Sequence, residues 1–142
     1  SSQVLPTKWR AHVKSFLVRF DALFQIDCAV LYGSRAAGTY TPRSDIDLVV
    51  ISEHVPSDFL SRLKAISDLY EPGAPIEALA YTPDEFHNMI EDMHVTALDA
   101  TTQGIPLVNA DAFARFQAHT AELQARGLRR AKHAWVMDAP RK

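Results

Sequence analysis

Apolar residues fall in two rhythms along this chain. Trp9, Val13, Phe16, Leu17, Phe20 and Phe24 recur at steps of three and four, which predicts a helix over about residues 7–24 with one apolar face. Cys28-Ala-Val-Leu-Tyr32 is a short unbroken apolar run stopped at Gly33-Ser34, and reads as a buried strand. Residues 34–44 form a polar loop with Gly38 and Pro42. Residues 45–51, Asp-Ile-Asp-Leu-Val-Val-Ile, are β-branched enough for a second buried strand.

Helical spacing returns at Phe59, Leu60, Leu63, Ile66 and Tyr70, with Ser57 as N-cap. Glu71-Pro-Gly-Ala-Pro75 breaks the chain, and residues 76–81 read as a third strand. Thr82-Pro83-Asp84-Glu85 has the form of a capping box with Pro at the first helical position. It opens a helix whose inner face is Phe86, Met89, Ile90, Met93, Ala97 and Ala100, with Gly104 as its C′ residue. Asn109 caps a last helix to about Arg126, with Phe113, Phe116, Thr120 and Leu123 inward and Gly127 after it. Residues 128–142 form a basic tail readable as an edge strand, a docked turn or a partner-binding arm. The order predicts an α/β (α+β) layer fold with a small sheet.

Composition adds bounds. At 142 residues the chain is expected to be one domain spanning 1–142, with its motif core at 28–81 and a C-terminal helix and tail at 109–142. No apolar run suits a bilayer span or a signal segment, so the expected location is cytoplasmic. One cysteine, Cys28, excludes an internal disulfide framework. The net charge of −2 hides a basic start, +4 over residues 1–43, an acidic middle, −11 over 44–111, and a basic end, +5 over 112–142. That pattern suggests a centre that demands a cation and a rim that attracts phosphate. The six histidines contain no pair four apart with a glutamate between them, so zinc chemistry is not expected. No aromatic–basic RNA-reading motif is present, so sequence-specific nucleic-acid binding is disfavoured.

The chemistry concentrates in residues 33–48. Gly33 ends a strand and lets backbone approach a bulky anion, Ser34 adds a hydroxyl, and a helical turn after them would aim free N–H groups outward. Asp45 and Asp47, two apart on a strand, leave the same face. Two such carboxylates repel and are costly to desolvate, a conflict that a hard divalent cation removes. Glu77 is a lone acid in an apolar run, and reaches the pair if its strand lies alongside.

These residues resemble the nucleotidyltransferase superfamily that includes DNA polymerase β and kanamycin nucleotidyltransferase. The Gly-Ser-Arg-Ala-x-Gly and Ser-Asp-Ile-Asp-Leu segments are most similar to its minimal nucleotidyltransferase branch. The resemblance implies a mixed sheet with helices mainly on one face. It implies that Gly33 and Ser34 hold a nucleotide's phosphates, that Asp45 and Asp47 ligate Mg2+, and that Glu77 stands where a third carboxylate, often Asp in relatives, belongs. Two Mg2+ ions and ATP or another NTP are implied, with release of pyrophosphate. Arg35 and Arg43 flank the motif as phosphate neutralisers or solvated loop residues, and Ser44 joins the nucleotide-binding set. Members of the branch are often paired with a helical protein of the HEPN type, and some act as antitoxins that modify it with AMP. A non-catalytic subunit that binds a helical partner is the alternative. Homo-oligomerisation is left open by the sequence.

Overall fold

The computed structural model describes residues 7–39, 41 and 45–139. The chain opens with helix α1 (Thr7–Phe24), followed by strand β1 (Cys28–Tyr32), the short helix α2 (Gly33–Ala37) and strand β2 (Ile46–Ile51). Helix α3 (Phe59–Ser67) leads to strand β3 (Ile76–Tyr81). Helices α4 (Pro83–Glu91) and α5 (Val95–Gln103), strand β4 (Ile105–Val108) and helix α6 (Ala110–Ala125) come next. Strands β5 (Leu128–Arg130) and β6 (Trp135–Met137) pair as an antiparallel ribbon, the edge-strand form of the basic tail.

The main sheet is mixed, in the order β3-β2-β1-β4. β1 runs antiparallel to β2 and β4, while β2 and β3 are parallel. The parallel pair needs a crossover, and α3 supplies it. Alternate strand residues feed two cores. Ala29, Leu31, Ile46, Leu48, Val50, Ala78 and Ala80 meet Val13, Phe16 and Phe20 of α1 and Ile66 of α3. Cys28, Val30, Val49 and Ile51 meet Phe86, Ile90, Ala97, Leu98 and Phe113 of α4, α5 and α6. The helices are thus shared between the two faces rather than gathered mainly on one. The physical reason is that β1 and β2 are apolar at every position from Cys28 to Leu31 and from Leu48 to Ile51, so both faces must be covered.

Most predicted elements stand where the spacing puts them, and five local departures have plain causes. Residues 33–37 coil into α2 rather than a loop, and Gly38 ends the turn in the left-handed region at φ 79°. α3 is capped by Asp58, whose carboxylate accepts from Ser61 N, and not by Ser57. The helix expected over residues 83–103 is broken in two. The Thr82–Glu85 capping box starts α4 as expected. Met93 then takes φ 57°, and the His94 side chain accepts from Thr96 N to start α5. Gly104 has an extended backbone, φ −72°, so its lack of a side chain serves packing: a Cβ there would enter Ala100 O and Val30. β4 was not expected, because Pro106 breaks the strand pattern; as an edge strand it tolerates the missing N–H.

Candidate active site

β1 delivers the chain into α2 at the same end of the sheet where β2 and β3 begin. The register makes the consequence explicit. Tyr32 pairs with Asp47, and Asp47 pairs with Glu77. The three residues form one row across three strands, and register partners share a face of the sheet with Cβ atoms about 5 Å apart. The row lies on the same face as Val49 and Ile51, just beyond the end of the core beneath α4, α5 and α6. Asp45 precedes β2 by one residue and is exposed. The structure therefore brings Asp47 and Glu77 together and sets Asp45 next to them, as expected from the sequence. Glu77 is open to solvent at this edge, while Asp47 is half-buried.

Asp47 is held above the ordinary carboxylate range. Burial is the largest cause, Glu77 the second and Asp45 the third, and all three act in the same direction. A divalent cation would reverse that balance, since it favours the anion at each of the three oxygen-donor groups. The donor set thus fits Mg2+: hard carboxylate oxygens, clustered and partly desolvated.

Gly33 meets this row directly. It has φ 72°, and a Cβ on it would run into the Asp47 carboxylate. Glycine is required twice over, by the left-handed backbone and by the approach of Asp47. From Gly33 the chain turns at once into α2. The N-cap residue, Tyr32, has extended backbone and contributes no side-chain cap. The first N–H groups of α2 therefore lie beside the acids without side-chain capping. Ser34 is partly exposed in that first turn.

Arg35 is buried, 2% exposed, which removes the reading of it as a solvated loop residue. Its position one turn inside α2 ties this helix to the interior. Arg43 and Ser44 lie outside the described residues. Tyr32 is the neighbour that the sequence reading did not single out. The signal was available: it directly precedes Gly33, and its parity with Cys28 and Val30 puts it on one face of β1 with them. Burial, and then the nearby Asp47, push its hydroxyl well above the usual phenol range, so it stays a protonated hydrogen-bonding group beside the acids.

Other candidate groups take structural roles. Burial pushes the Cys28 thiol up to about 11, which makes it a packing residue rather than a nucleophile. Phe86 is buried in the core, and Met89 packs against it. No helix among the described residues is long and apolar enough to cross a membrane.

The nucleotidyltransferase domain family matches residues 13–101, a span that runs from within α1 through most of α5 and holds the whole acid row. A search of curated proteins by sequence finds no match. Among solved structures, a Sulfolobus solfataricus protein assigned as a nucleotidyltransferase superposes with TM-score 0.52 at 16% identity, over 70% of this chain and 78% of that one. Two toxin–antitoxin structures align more loosely, both at 20% identity. One, with AMP-PNP, has TM-score 0.42 over 78% of this chain and 91% of that one. The other, an MntA-HpeT mutant, has TM-score 0.44 over 82% and 93%.

Proposed function

Because the chain belongs to the nucleotidyltransferase domain family, we propose that it transfers a nucleoside monophosphate, AMP from ATP, to a hydroxyl of a protein or small-molecule acceptor. The observation that carries this reading is the contact between the acid row and Gly33: the turn suited to phosphate and the carboxylates suited to a cation occupy the same few ångströms. We place the chain in the minimal nucleotidyltransferase branch on the wording of its motif.

Asp45, Asp47 and Glu77 would hold Mg2+, two ions in the arrangement we favour, and bound Mg2+ supplies charge neutralisation for the phosphates and acidifies the acceptor hydroxyl. Gly33 lets the triphosphate approach the backbone. Ser34 and the first N–H groups of α2 orient the departing pyrophosphate. Glu77, exposed on β3, faces the acceptor side and either completes the cation's ligands there or takes the hydroxyl's proton. Tyr32 stays protonated beside Asp47, its register partner.

A second reading rests on a different observation. Phe59 and Leu60 of α3 are 68% and 72% exposed, and Leu63 is 41% exposed. Such an apolar patch suits a helical partner of the HEPN type, which would serve either as acceptor of AMP or as the target of a purely binding subunit. One experiment separates the two. Incubate the protein with Mg2+, α-labelled ATP and a candidate partner, and read covalent label by intact mass. A mass gain of one AMP on the partner, absent in Asp47→Asn, supports transfer; a tight complex that never gains label supports the binding subunit.

A further inference from the structure

His87 and Glu91 stand one helical turn apart on α4, and His119 faces them from α6. One potential ligand atom from each lies within 4.8 Å of the other two. The His87 and His119 rings stack, with centroids 4.4 Å apart. Glu91 hydrogen-bonds His119 Nε2. The Nδ1 atom of His119 is buried and has no hydrogen-bond partner, and His87 makes no hydrogen bond among the described residues.

We propose that His87, Glu91 and His119 form a site for zinc or a zinc-like divalent cation, separate from the Asp45–Asp47–Glu77 row. The chemistry of the donors decides the metal. Two imidazoles and one carboxylate suit zinc, whereas an all-carboxylate set suits magnesium. Ligands about 2.0–2.2 Å from one ion sit roughly 3.3–3.6 Å from each other in a tetrahedron. An ion would replace the Glu91–His119 hydrogen bond, with that pair parting to admit it and His87 and Glu91, both exposed side chains, turning toward it. Three protein ligands leave a fourth position, and a cavity of about 400 Å³ lies against it, lined by both histidines with Asp27, Glu53 and Arg115. A water or an anionic ligand held by Arg115 fits there.

The place in the fold makes the two sites distinguishable. The cavity is lined by Asp27, Cys28, Ile51 and Glu53, at the far end of β1 and β2 from Tyr32 and Asp47. Sequence spacing alone did not show this site, since its donors come from two helices.

The test uses the full chain in metal-free buffer, titrated calorimetrically with ZnCl2 and separately with CoCl2, with folding of each variant checked by circular dichroism. The wild type is expected to bind zinc, to rise in Tm with zinc, and to give the intense visible bands of tetrahedral cobalt. His87→Ala, an exposed position, is expected to weaken that binding at least tenfold and to abolish the cobalt bands, with its metal-free Tm unchanged. Glu91→Gln is expected to weaken it similarly. Asp47→Asn is expected to keep the bands. Zinc affinity and cobalt bands unchanged in folded His87→Ala and Glu91→Gln would overturn the proposal, as would bands lost only in Asp47→Asn or an absence of zinc binding in the wild type. None of these readouts depends on nucleotidyl transfer.

Discussion

Gly33 and Asp47 constrain each other through one contact. Gly33→Ala would add a Cβ against the Asp47 carboxylate at a backbone φ of 72°. The strain is about 1–3 kcal/mol, and any relief moves Asp47 or the start of α2. The expected result is a lower denaturation midpoint in urea together with a loss of transfer larger than stability explains. Asp47 itself opposes the fold when no cation is present. Its folded-state pKa lies above the unfolded value of 3.8, so the folded chain keeps a proton that the unfolded chain has released. Stability therefore falls as pH rises from the unfolded value to the raised folded one, and is level above it. Asp47→Asn removes that fall. Measured in EDTA, its Tm should exceed the wild type's at neutral pH, with the gap closing toward acid. Its transfer activity should drop by several kcal/mol of transition-state stabilisation, roughly 10³-fold. A wild-type Tm equal to or above that of the variant in EDTA at neutral pH would contradict this account.

α3 shows how an element can obey its period and still turn its other side inward. The spacing of Phe59, Leu60, Leu63 and Ile66 predicts an apolar inner face, yet Phe59 and Leu60 are outside and Arg62 is inside with Ile66. The reason is a polar partner from a distant element. Arg62 donates through Nε to Pro56 O at 2.8 Å and through Nη1 to Ala80 O at 3.1 Å. It also grips both Glu85 oxygens, at 2.7 and 3.2 Å. Glu85 is at the same time the N3 residue of the α4 capping box. One guanidinium thus joins the loop before α3, the edge strand β3 and the start of α4. Arg62→Ala leaves those carbonyls unpaired and should cost about 2–3 kcal/mol, read as a Tm lowered by roughly 10 °C. Arg62→Lys keeps the charge without the planar fork and should recover only part of it. Hydrogen bonds from Arg62 hold Glu85 below the ordinary carboxylate range. Their support is present above the unfolded Glu value of 4.5 and is lost as pH falls below it.

At the scale of the whole molecule, the two-faced sheet separates three chemistries. The acid row opens at one end of the α4–α6 face. The His87–Glu91–His119 cluster lies toward the other end. The exposed residues of α3 lie on the opposite side, beside the core built on α1. The sequence by itself determined the elements and the main candidate chemistry. Periodicity placed α1 at Thr7–Phe24, β1 at Cys28–Tyr32 and β3 at Ile76–Tyr81, and Asn109 marked the start of α6. These are local signals, set by backbone preference and by the period of side-chain burial. Gly33, Ser34, Asp45 and Asp47 were legible because strand, turn and strand follow one another directly. Glu77 was legible only on the condition that β3 lies beside β2. Tertiary structure met that condition through a parallel pairing, and it alone decided the burial of Arg35, the inward turn of Arg62, the edge strand β4 and the meeting of His87 with His119. Each of those depends on contacts between residues far apart in the chain, whose free energy no local window of sequence contains.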